Sequence, residues 1–116
     1  PVQRKFIMRK KMIYTNTPDV PGREIDEILG VVTGNVVQSK HVGRDIMAGF
    51  KTIVGGEIKS YTDMLTEARH TAISRLVAEA IKLDADAVVN LRFTTSSIMN
   101  GSSEILAYGT AVKLKP

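Results

Sequence analysis

The chain has 116 residues, of which 43% are hydrophobic and 24% charged, with no cysteine and a formal net charge of +4. That is one domain's worth of chain, and the missing thiols exclude a disulfide framework, a thiolate metal site and a cysteine nucleophile. No apolar run reaches the roughly 18 residues that cross a bilayer, and the N-terminus lacks the apolar stretch of a signal peptide, so the expected setting is cytoplasmic, with no membrane partner.

The positive charge is local. Arg4, Lys5, Arg9, Lys10 and Lys11 fall within the first eleven residues with no acid among them. Taking those five from sixteen bases leaves eleven against twelve acids, a nearly neutral remainder. Residues 1–11 read as a basic extension and 12–116 as a single domain. A solvated tail, an edge strand or an added segment explains the arm more simply than a phosphate-binding role, and nucleic acid is not an expected partner.

In chain order, residues 6–15 have the composition of an edge strand, anchored by Ile13 and Tyr14. Residues 17–22 hold Pro18, Pro21 and Gly22 and read as a loop. From about Arg23 to Val37 the β-branched residues Ile25, Ile28, Val31, Val32, Val36 and Val37 predict a strand, with Gly30 and Gly34 as bends or bulges. Gly43 to Val54 carries Ile46, Met47, Phe50, Ile53 and Val54 at helical spacing, which predicts a short helix ending at Gly55-Gly56.

The organising element is Ser60–Leu83. Tyr61, Met64, Leu65, Ala68, Ala72, Leu76, Ala80 and Leu83 recur every three or four residues, and Ser60 with Asp63 reads as an N-cap pair. Asp84 stands where a glycine would more usually end such a helix. From Ala87 the period drops to two, with Ala87, Val89, Leu91 and Phe93 on one face and Asn90, Arg92 and Thr94 on the other. Asn100-Gly101 signals a hairpin. In the closing strand, Leu106, Tyr108, Val112 and Leu114 share one face, while Ile105, Ala107, Gly109 and Ala111 share the other. The expected fold is α+β, an antiparallel sheet packed on one long helix plus a short one.

Two elements carry more apolar surface than one copy can hide. The last strand is apolar on both faces, and Val77, Ala78 and Ile81 add to the helix's girth near its C-terminus. Self-association through the helix and the final hairpin follows; a monomer with an unusually apolar surface is the plainer alternative.

The blocks GGEIKSYTDMLTEAR, RLVAEAIKLDADAVVNLRF and AYGTAVK, with the earlier GVVTGNVV, resemble the YbjQ-like family of small bacterial and archaeal proteins over about Met12 to Lys115. The resemblance implies a dodecin-like subunit assembled into a ring-shaped homopentamer, and the family's usual name implies heavy-metal binding. Asp84 departs from the glycine of the family's LGADAVV block.

Several groups are candidates for chemistry. Asp63, Glu67 and His70 share one helix face and could hold a divalent metal ion, with a solvated polar face as the simpler reading. His41 and Asp45 offer only two ligands. Met8, Met12, Met47, Met64 and Met99 are the only sulfur donors, so the residues disfavour a soft metal. Arg69 is expected to bury part of its stem, and Arg75 with Glu79 to form an ion pair; these three mark an inter-subunit salt bridge or an anion pocket. No nucleophile elbow, activated base or P-loop is present, so an enzyme is not expected. The reading is a ring-forming protein that binds a metal ion or small ligand at its subunit interfaces, or else a purely structural oligomer.

Overall fold

The long helix, α1 (Lys59–Lys82), lies across one face of a four-stranded sheet in the computed structural model, which describes residues 11–39, 53–54, 57–99 and 101–116. The sheet is built from β1 (Ile13–Tyr14), β2 (Ile25–Ser39), β5 (Ala87–Met99) and β6 (Ser102–Leu114), in the order β1-β5-β6-β2. Strands β5 and β2 are each antiparallel to β6, while β1 runs parallel to β5. The sheet is therefore mixed rather than purely antiparallel. Ile13 and Tyr14 do anchor an edge strand, as their composition suggested.

A second correction concerns the short helix expected over residues 43–54. Its last two residues form β3 (Ile53–Val54), paired with β4 (Glu57–Ile58) in a two-stranded ribbon that runs straight into α1. Two adjacent β-branched side chains favour the extended form over a helix end. The rest of that segment lies outside the described residues.

The helix's apolar stripe narrows to Ala68, Ala72, Leu76 and Ala80, all buried, and these face Val32, Ile105, Ala107 and Ala111 on the sheet. Small residues on both sides bring the two backbones together, most closely at Gly34. A Cβ built there would overlap the Ala72 carbonyl oxygen and the Leu76 amide nitrogen. Gly34 is thus a point of contact and not the bend its type suggested; its pairing with Ala107 is regular. The bulge sits at Gly30, whose φ of 137° no other residue adopts comfortably.

The C-terminus of α1 closes in a Schellman motif. Ala85 N–H donates to the Ala80 carbonyl at 3.1 Å and Asp84 N–H to that of Ile81 at 2.9 Å, with Asp84 at φ 61°. Lys113 Nζ braces the strained residue, reaching the Asp84 carbonyl at 3.0 Å and its Oδ2 at 3.3 Å.

Strand β5 departs from simple alternation. Asn90 takes φ 54° and the pairing with β6 shifts between Val89 and Arg92. Val88 and Leu91 therefore both face the helix, whereas Ala87 and Val89 join Val112 and Leu114 on the opposite face. The bulge turns two donors outward, so that Asn90 N–H reaches the Thr17 carbonyl and Leu91 N–H that of Thr15, each at 2.9 Å. This fastens the loop after β1 to the sheet edge. From that loop Val20 folds over the outer face, so part of the second cover comes from the chain itself.

At the far end Met99 pairs with Ser102, and Gly101 just before that serine takes φ 79°. The two faces of β6 divide as the sequence indicated, Ile105, Ala107 and Ala111 toward the helix, Val112 and Leu114 away from it.

Two substitutions test this packing. Gly34→Ala must push α1 off β2 and is expected to cost about 3 kcal/mol, read as a lower urea midpoint or as insoluble protein. Asp84→Gly relieves a left-handed residue and is expected to raise stability by about 1 kcal/mol in the same measurement.

Candidate functional site

The polar groups of α1 sort by helical angle. At about 100° per residue, Asp63, Glu67 and His70 project away from Ala72, and all three are exposed. Among the described residues, no three side chains of His, Cys, Asp or Glu gather to hold a metal ion.

Arg69 and Arg75 leave the helix on opposite flanks of the buried stripe, about 120° apart by the same arithmetic. Arg69 is exposed in the single chain and donates from Nη2 to Thr66 Oγ1 at 3.3 Å. A pocket lined by both arginines would have to take one flank from each of two copies.

Arg75 instead leans over β2, and its Nη1 donates to the Asn35 carbonyl at 2.7 Å. Glu79 pairs with Lys82, at 3.0 Å, rather than with Arg75. Together Arg75, Glu79, Lys82 and Leu83 overhang Val31–Asn35, forming an open groove along the sheet's edge with cations and an acid on its helix side. Lys82 and Asn35 went unnoticed in the sequence. Lys82 was findable, since it lies seven residues from Arg75 and three from Glu79 on the same helix flank. The role of Asn35 depends on the helix meeting β2 there, and no local pattern encodes that.

A second hollow lies near the turn, between Tyr61, Met64 and Leu65 of α1 and Gln38, Ser39, Ser97 and Ser102 of the strands. It is lined by apolar helix side chains and hydroxyls.

Exposed apolar groups among the described residues include Val31 (73% exposed), Val37 (58%) and Tyr108 on the sheet's outer face, Phe93 and Ile98 on β5, Leu65 and Ile81 (61%) on α1, and Leu83 just past its end. No described helix is long and apolar enough to cross a membrane.

A family model described as "Putative heavy-metal-binding" matches residues 12–115. A UPF0145 protein of Shewanella frigidimarina is 70% identical over 105 residues, covering 90% of this chain and 98% of its own. A UPF0145 protein of Thermotoga maritima is 64% identical, with 90% and 98% covered. Among solved structures, a protein of unknown function from the DUF74 family of Pediococcus pentosaceus shares the fold with a TM-score of 0.60 at 19% identity, over 90% of this chain and 98% of that one.

If the bond from Arg75 serves mainly to orient that side chain over the groove, Arg75→Ala leaves the helix content unchanged and lowers stability by about 1 kcal/mol or less. Far-UV circular dichroism and a urea titration read both quantities.

Proposed function

The chain belongs to the YbjQ-like family, and from that premise we propose that it is a cytoplasmic, non-enzymatic protein that assembles into a ring, a pentamer on the family likeness, and holds a small ligand or metal ion where subunits meet. One observation carries this reading above the others: apolar side chains stand exposed on both faces of the same end of the sheet. Phe93 lies on the helix side opposite Ala107, while Val31, Val37 and Tyr108 lie on the outer side. A sheet bare on both faces is covered by another chain.

The heavy-metal description fits the donor set poorly. A soft metal selects thiolate, and this chain has no cysteine. Asp63, Glu67 and His70 suit a borderline ion such as zinc, but one described subunit does not gather a complete set. That same observation favours the second reading, a structural ring with no dedicated ligand.

Native mass spectrometry on protein purified without chelator separates the two. A stoichiometric adduct on the oligomer supports the binding reading, and bare oligomers support the structural one. If the helix face supplies metal ligands, Asp63→Ala with His70→Ala abolishes zinc uptake, and unchanged uptake removes that site. Arg69→Leu is expected to shift the sedimentation profile toward smaller species while helicity stays constant. Intact rings would place Arg69 outside the interface.

A further inference from the structure

We propose that the groove between α1 and β2 seats a small organic carboxylate, a monoanion whose charged end pairs with Arg75 and whose aliphatic body lies against Val31 and Leu83. This gives a ligand class to the reading above and rests on its premise that a small ligand is held.

The site turns on how Arg75 is fixed. Its Nη1 donates to the Asn35 carbonyl at 2.7 Å, a neutral acceptor, and among the described residues no carboxylate lies in ion-pair range of it. Glu79, the partner that the i, i+4 spacing offers, pairs with Lys82 at 3.0 Å instead. The guanidinium is therefore oriented without being neutralised. It has five N–H groups, and a bond from one Nη1 hydrogen leaves the edge formed by Nε–H and Nη2–H intact. That edge is the planar fork that takes the two oxygens of a carboxylate side by side. A fork held in place beforehand also lowers the ordering cost of binding.

The rest of the groove decides between anions. On its helix side Arg75 and Lys82 supply two positive charges and Glu79 one negative, which leaves a single net positive charge. A carboxylate matches that charge. A phosphate monoester, with about −1.5 to −2 at neutral pH, would bring its excess against Glu79, and a metal cation would meet the two bases. The strand side, Val31–Asn35, carries no charge. Val31 and Leu83 both line the groove and both stand exposed, so an alkyl body laid along it would remove apolar surface from water. From Arg75 to Lys82 the helix rises about 10 Å, the reach of a short alkyl chain.

Sodium hexanoate is the probe, with hexanamide as its uncharged counterpart and hexyl phosphate as its more highly charged one. Each is titrated calorimetrically into the full-length protein in its assembled state. Hexanoate is expected to bind roughly tenfold or more tightly than hexanamide, and Arg75→Gln to abolish that preference with far-UV circular dichroism unchanged. Glu79→Gln is expected to keep hexanoate bound and to strengthen hexyl phosphate severalfold. Equal binding of hexanoate by Arg75→Gln would put the ligand elsewhere and overturn the site. Tighter binding of hexyl phosphate than of hexanoate by the unmodified protein would overturn the monoanion assignment. Should Arg75→Gln prove insoluble, an unchanged ratio of the two affinities in Glu79→Gln would equally overturn the groove as the seat. If hexanoate does not bind, the proposal falls, and native mass spectrometry shows what falls with it. A stoichiometric organic adduct would keep the small-ligand reading without this site, whereas bare oligomers would remove both.

Discussion

The backbone of α1 rests against β2 at Gly34, where the absence of a side chain lets the Ala72 carbonyl and Leu76 amide come into direct contact with the strand. Everything that α1 positions depends on this closeness. Ala68, Ala72 and Ala80 keep the helix low over the sheet, and Ala107 and Ala111 receive it. At that height Arg75 can reach the Asn35 carbonyl, and its flank of the helix becomes one wall of a groove whose floor is β2. A thicker interface would lift the guanidinium away from the strand.

The same closeness leaves a thin core. Among the described residues, the largest fully buried side chains are Leu76, Val88 and Val112, so little large apolar volume is fully buried there. The strands also outrun the helix. A 13-residue strand spans about 43 Å and the 24-residue helix about 36 Å. The loop carrying Val20 covers the outer face at one end of the sheet only. At the other end, Arg92 to Ile98 are exposed at every successive position, on both faces of β5. Apolar surface withheld from the subunit's own core is thus concentrated at that end of the sheet.

The periodic elements were legible in the sequence because their signals are local. The helix from Ser60 to Leu83 begins at Lys59 and ends at Lys82, and the division of β6 into two faces follows the alternation of its residues. Legibility failed where tertiary contact decided the outcome. In β5, Asn90 breaks the alternation because the loop after β1 needs its amide and that of Leu91, which moves Leu91 to the helix side. At Gly34 the residue type announced a special backbone, but its reason lay forty residues away on the helix. Ile53 and Val54 matched a helical period by composition, while pairing with β4 made them extended. For the candidate site, residue identities on α1 were visible, but not their partners. Glu79 turned to Lys82 and Arg75 to a strand carbonyl, since ion pairing on an exposed helix is weak enough for nearby geometry to decide.

The disposition of charge on α1 bears on what a junction between copies would hold. Asp63, Glu67 and His70 point directly away from the sheet, the direction least available to a neighbour joined through the sheet's edges. Arg69 and Arg75 point along the two flanks, the directions such a neighbour approaches. A junction at which the two flanks met would bring guanidinium groups from adjacent copies toward one another, and leave the carboxylates and the imidazole facing solvent. Two converging guanidinium groups are unfavourable unless an acid or an anion lies between them. Glu79 is already occupied by Lys82. With no thiolate in the chain and the harder donors turned outward, the chemistry at such a seam suits a small anionic ligand better than a soft metal cation.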